Sequence, residues 1–196
     1  MPIAQVPAFV IYCIVSAITP GPANLTTLSA ALKYGRKRAM IQWRGIAAGF
    51  SIDAFAASLI AWFFGSAFGK YLRVLTFVGA AYILWLAWHL YKSEGTGEAE
   101  AAGRCNFFTG LIVQLTNPKV IIFCITALTT YALPYAERYT DVLKVAFLLL
   151  LTGPVANLVW LFAGASLKRF FENYQKPVNI VMALSLVFCA ISILFS

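Results

Sequence analysis

Charge is scarce in this chain, and negative charge scarcest: of 196 residues 15 are Lys or Arg and 7 are Asp or Glu, together 11%, against about a quarter in soluble globular domains. With 61% hydrophobic and 15% aromatic residues besides, that scarcity excludes an ordinary soluble domain and leaves an integral membrane protein. Soft metal ligands are few. The single histidine is His89, and the four cysteines, Cys13, Cys105, Cys124 and Cys189, form no CxxC pair, so neither a metal cage nor a disulfide framework is expected. There is no Walker loop, no glycine-rich nucleotide fingerprint and no nucleophile elbow. No enzymatic activity, cofactor or metal is therefore expected, and any transport has to draw on an ion gradient.

What is present is apolar sequence in blocks. A crossing takes roughly 20 mostly apolar residues, and six such runs are bounded by charge or turn residues, at about 3–31, 41–64, 70–91, 107–131, 141–167 and 177–195. Only the stretch KSEGTGEAEAAGR, 92–104, has the composition of a flexible linker. The expected fold is an all-α integral membrane protein forming one transmembrane domain over 1–196. Its first repeat spans about 1–91, a cytoplasmic loop 92–106, and its second repeat about 107–196.

The basic residues orient it, because Lys and Arg near helix ends are retained on the cytoplasmic side. Lys33, Arg36, Lys37, Arg38 and Arg44 fall in loop 1, Lys92 and Arg104 in loop 3, and Lys168, Arg169 and Lys176 in loop 5; the alternate loops hold only Lys70, Arg73, Arg138 and Lys144. Odd-numbered loops thus face the cytoplasm and both termini face outward. The first basic residue is Lys33, so the start lacks the charged region of a cleavable signal peptide. The net charge of +8 then reflects topology and contact with the anionic headgroups of the bilayer, and nucleic acid is not an expected partner.

Two of the apolar runs carry breakers. Thr19-Pro20-Gly21-Pro22 interrupts the first, followed by Asn24, and Thr116-Asn117-Pro118-Lys119 interrupts the fourth. A proline inside a helix removes a backbone donor and clashes with the preceding turn; backbone broken at membrane depth persists only where protein or a wet cavity meets the freed groups. One proline is explained by a simple kink, whereas two around a glycine, with a matching interruption in the second half, point to more. Gly49 is followed four residues later by Asp53, and Gly153 four residues later by Asn157. Three crossings per half place the second half upside down relative to the first, which is the inverted-repeat architecture of secondary transporters, with broken helices 1 and 4 supplying the midplane site.

The same residues resemble a known family. TPGPANL after the first half-helix, GAAYILWLAWHLY in the third run and NPK in the fourth are similar to the LysE/RhtB superfamily of amino-acid exporters, over essentially the whole chain. The C-terminal ANLVWLFAGASLKRFFENYQKPVNIVMALSLVFCAISILF is most similar to its cysteine/O-acetylserine branch. The chain departs from the family's usual pattern in one place: Ala23 stands directly after the second proline, and the Asn comes one position later, at Asn24. The resemblance implies export of a small amino acid or derivative across the bacterial cytoplasmic (inner) membrane.

Together these readings make Thr19, Pro20, Gly21, Pro22, Asn24, Asn117, Pro118, Lys119 and Asn157 the expected substrate-binding residues, with Asp53 the proton-coupling residue and proton antiport the drive. Each has a plainer explanation beside it. Asp53, near the middle of helix 2, can be a neutral carboxyl bonded inside the bundle, since an ionised one costs on the order of 3 kcal/mol there. Lys119 can snorkel to an interface or pair with Asp53. Asn157 can serve an interhelical hydrogen bond. Gly45 and Gly49 suit tight helix packing, and Trp85, Trp88 and Tyr91 an aromatic belt beside His89.

Two other classes stay open: a transmembrane thiol-disulfide electron carrier, because Cys13 and Cys124 lie on the two broken helices, and a passive pore or structural subunit. Among exporters, other neutral amino acids such as threonine, homoserine or leucine are alternatives, and the oligomeric state is open, a homodimer included.

Overall fold

The computed structural model describes residues 1–19, 21–65, 69–92, 105–166 and 173–194; Pro20 and most of the expected linker lie outside them. All regular structure among the described residues is helical. A 3-10 turn at Ile3–Gln5 leads into α1, Val6–Ile18, whose Pro7 stands in the first turn, where a missing N–H costs nothing. α2 then runs from Pro22 to Phe64, again opening on a proline. At roughly 1.5 Å per residue the 13 residues of α1 rise about 20 Å, less than the ~30 Å of a bilayer's hydrocarbon. α1 therefore does not cross by itself.

α2 departs from the expected boundaries. A loop was expected between crossings ending near 31 and starting near 41; instead, helix continues through that stretch on either side of one non-helical residue, Gly35, at φ 78° and ψ 168°. The charged cluster Lys33 to Arg38 suggested a loop, but Lys, Arg and Ala are good helix formers. Only Gly35 is needed for the change of direction, since a positive φ there penalises any side chain.

α3 spans Gly69–Lys92, α4 Phe107–Leu115, α5 Pro118–Tyr131, α6 Tyr139–Leu150, α7 Gly153–Ser166 and α8 Gln175–Leu194. α4 begins on a reciprocal cap in which Asn106 Oδ1 accepts from the Thr109 N–H and Thr109 Oγ1 from the Asn106 N–H. The fifth apolar run, expected as one helix over 141–167, is divided at Leu151–Thr152 into α6 and α7. The reason is local: Pro154 has no N–H for the preceding turn, and the Leu151 and Thr152 amides tighten to the carbonyls of Leu148 and Leu149.

Packing is closest between the 36–64 limb of α2 and α4. A Cβ on Gly45 would strike the Phe107 carbonyl, and one on Gly110 would strike that of Gln42, so glycines let the two backbones touch, as small residues do between membrane helices. α3 and α8 pair through Ala80, Ile83, Ala87, Leu186 and Ala190, in one cluster with Leu25, Leu28 and Ile122. The surface of the bundle is apolar: Ile11 and Ile14 on α1, Phe55 on α2, Phe147 on α6, Val159 on α7 and Leu184 on α8 are all exposed, which only a lipid surround makes favourable. Pro22–Phe64, Pro118–Tyr135 and Tyr139–Gly164 are each long and apolar enough to span a membrane. At the end of α3 the exposed Trp88 and Tyr91 rings stack at 6.3 Å, and Lys92 Nζ lies 4.6 Å from the Trp88 ring, the composition of a headgroup-level anchor.

Candidate functional site

α1 stops at Ile18 because the sequence ahead cannot continue it: Pro20 has no N–H to donate, and Gly21 is fully extended (φ −153°, ψ 174°). Carbonyls at the end of α1 are thereby left without their usual helical partners. The Asn24 side chain replaces them, its Nδ2 donating to the carbonyls of Ala17 at 3.0 Å and Thr19 at 3.1 Å. Asn24 Oδ1 in turn accepts from Asn157 Nδ2 at 2.8 Å. The Thr27 hydroxyl lies 2.8 Å from Asn157 Oδ1 and 2.9 Å from the Ala23 carbonyl, sharing its one proton between two acceptors. Asn24, Thr27 and Asn157 are all buried, so the polar chain replaces solvent where water is excluded.

The second interruption is built differently. α4 ends at Leu115, α5 begins at Pro118, and buried Asn117 caps α5 by accepting the Lys119 N–H at 3.2 Å. The Lys119 side chain then crosses to the first interruption, where Nζ donates to the Thr19 carbonyl at 2.6 Å. Its stem lies against Gly21, where a Cβ would come within 2.8 Å of Lys119 Cδ. Lys119 thus ties the two interruptions together.

Between them is a cavity of about 40 Å³, enough for a few waters at ~10–15 Å³ each. Gly21, Asn24, Asn117, Lys119 and Asn157 line it, together with Ser16, Gln114, Phe50 and Phe123. Pro22 and Pro118 are buried at the first turns of α2 and α5, and Thr19 takes part through its carbonyl. Asp53, 9% exposed, does not line the cavity and does not meet Lys119 as a partner; its Oδ2 accepts from Gln114 Nε2 at 3.0 Å. The Asp53–Lys119 pairing considered from sequence is replaced by two separate contacts, because the Lys119 stem is directed over Gly21 and Gln114 stands between the carboxyl and the cavity.

Gln114 is the residue that sequence reasoning missed. It is 1% exposed, lies four positions before Pro118, and touches both Asp53 and the cavity. A buried amide just before a helix breaker was the available signal. Gly49 makes the room, since a Cβ there would come within 2.8 Å of Gln114 Cβ. The aromatic wall was missed as well: Tyr12 stacks on Phe123 at 5.4 Å and Phe123 meets Phe50 at 6.4 Å. Cys13 and Cys124 are buried free thiols, and Cys105 Sγ lies 3.2 Å from Gln42 Oε1; the side chains of His89 and Cys189 lie outside the described residues.

Helices that stop and restart around a buried polar cavity, inside a bundle clad in lipid-facing side chains, define a multi-pass membrane protein with an internal polar site. The chain belongs to the LysE family: the pattern of the LysE type translocator matches residues 14–196. Among similar proteins, the cysteine/O-acetylserine efflux protein of Salmonella typhimurium (strain LT2) is 36% identical over 188 residues, 96% of each chain. That of Klebsiella pneumoniae is 35% identical over 189 residues, 95% of each, and that of Escherichia coli (strain K12) is 34% identical over 188 residues, 96% of each. No solved structure matches the chain.

Proposed function

We propose that the protein is a secondary exporter that carries small amino acids or their derivatives, cysteine- and O-acetylserine-like, out of the cytoplasm across the bacterial inner membrane, driven by proton antiport. The observation that carries this reading is the cavity between the two proline interruptions, lined by Asn24, Gln114, Asn117, Lys119 and Asn157. Kinship with proteins named for cysteine/O-acetylserine efflux supports the substrate class and the direction. Ends of opposite polarity meet there: α2 and α5 begin at the interruptions, and α1 and α4 end at them. Helix N-termini favour a carboxylate and C-termini an ammonium, the two charges of a zwitterion.

On this reading the chain makes six crossings as two inverted three-helix repeats, with helices 1 and 4 broken and both termini outside. Two long-range contacts support the relation. Asp53 of helix 2 bonds Gln114 of broken helix 4, and Asn157 of helix 5 bonds Asn24 of broken helix 1. Exchanging helix 1 with 4 and 2 with 5 carries the helix pair of one contact onto that of the other. Asp53 is the proton carrier in this scheme and Gln114 its link to the cavity.

The test is uptake of labelled amino acids, cysteine and O-acetylserine among them, into inverted membrane vesicles with and without a pH gradient. Export appears there as gradient-stimulated uptake of a small amino acid. Uptake no greater than in vesicles lacking the protein overturns the reading.

A further inference from the structure

Lys119 is the one charged side chain among the described residues lining the cavity; no carboxylate lines it. Asp53 is set back behind Gln114. The cavity's fixed charge is therefore positive, and a low-dielectric site of that kind selects an anionic group. The ammonium is also placed beside a second feature that favours anions. α2 starts at Gly21 with no side chain capping its first turn, whereas α4 and α5 are capped by Asn106 and Asn117; Gly21, Ala23 and Asn24 of that uncapped turn all line the cavity.

We propose that the Lys119 ammonium recognises the α-carboxylate of the transported amino acid, and that its bond to the Thr19 carbonyl is the resting contact which the carboxylate displaces. The proposal deepens the exporter reading and rests on it. The exchange is favourable on two counts. An ammonium bonds a carboxylate more strongly than a neutral carbonyl, because both partners are then charged. The Thr19 carbonyl is not orphaned when Lys119 leaves, since Asn24 Nδ2 still donates to it at 3.1 Å. Gly21 keeps the path clear: any side chain there would meet the lysine stem. Displacement would also release the Lys119–Thr19 contact between α5 and the end of α1, so that occupancy of the cavity and that contact exclude each other.

The experiment is competition against labelled L-cysteine in inverted vesicles under reducing conditions, with unlabelled L-cysteine and L-cysteinamide as competitors. The amide keeps the amine and the thiol and lacks the carboxylate. In the unsubstituted protein, cysteinamide should compete about tenfold or more weakly than cysteine, the effect of one charge-assisted hydrogen bond. Lys119→Gln should raise the KM for cysteine by about tenfold or more and bring the two competitors to within about twofold of each other, while Lys119→Arg keeps most of the discrimination. Equal competition in the unsubstituted protein, which needs no variant to fold, overturns the proposal. So does discrimination that persists undiminished in Lys119→Gln. Absence of any amino-acid uptake by the unsubstituted protein is a different result, which overturns the exporter reading and the proposal with it.

Discussion

Asn24 and Asn157, 133 positions apart in the chain, are joined amide to amide at 2.8 Å, and Asn24 spends its own two donors on the open end of α1. The end of one helix is thus held in place by a residue of another through a single intermediary. Removing Asn157 leaves the buried Asn24 Oδ1 without its donor, at a cost of about 1–3 kcal/mol, while the Thr27 hydroxyl keeps the Ala23 carbonyl.

Asn157→Leu should therefore lower the thermal stability of the purified protein measurably and impair transport. Asn157→Ser, which keeps a hydroxyl, should cost less stability. Thermal unfolding in detergent compares the two, and equal stability of the leucine variant and the unsubstituted protein would show that the Asn24 amide finds another partner.

Asp53→Asn should fold and should keep the Gln114 contact, because the asparagine Oδ1 accepts from Gln114 Nε2 as the carboxylate does. An asparagine cannot change charge. Counterflow of labelled against unlabelled substrate should persist while accumulation driven by a pH gradient disappears. Retained gradient-driven accumulation would falsify an obligatory proton-carrying role for Asp53.

Gly21 and Gly35 are needed for different reasons, and alanine should separate them. Gly21 is extended, which any residue tolerates, so Gly21→Ala acts by pushing Lys119 aside and should depress transport with little loss of stability. Gly35 has open space around it and a φ of 78°, so substitution there acts on the backbone, by roughly 1–3 kcal/mol. Gly35→Asn should be as poorly tolerated as Gly35→Ala, because at ψ 168° the residue lies outside the left-handed helical region that asparagine favours, in one that only glycine enters freely. Folded yield and melting temperature read out both.

Single cysteines introduced between 93 and 103 should react with an impermeant thiol reagent from the cytoplasmic side, and cysteines at either terminus from outside. Termini and the 93–103 stretch reactive from the same side would mean an even number of crossings in each half and remove the inverted repeat.

Replacing Cys13, Cys105, Cys124 and Cys189 together by Ala should leave substantial transport, since none of the described cysteines lines the cavity. Complete loss in a protein that still inserts would favour the electron-carrier reading.

The parts of the site legible in the sequence were those announced by backbone chemistry. Prolines at 20, 22 and 118 state where a helix cannot continue, and α1, α2, α4 and α5 begin or end beside them. Pro154 announced the same thing for the fifth apolar run and was passed over, because the apolar residues run unbroken on both sides of it. Gln114 was signalled only by its place ahead of a helix breaker, and Phe123 by nothing in the sequence. The role of Gln114 depends on which face of α4 turns toward α2, set by glycine contacts at positions 45, 49 and 110, and that of Phe123 on its meeting the Tyr12 and Phe50 rings, far away in the chain. Lys33 to Arg38 misled in the opposite direction: a charged cluster suggests a loop, but charged residues form helix as readily.

The single non-helical residue inside α2 has a mechanical corollary. The limb before Gly35 carries Asn24 and Thr27, and the limb after it carries Asp53. A connecting loop of several residues would absorb a displacement of either limb. Here one glycine is the joint between them, so the arm that holds the cavity end of α1 and the arm that holds the carboxylate can be set at a new angle only through the two torsions of Gly35.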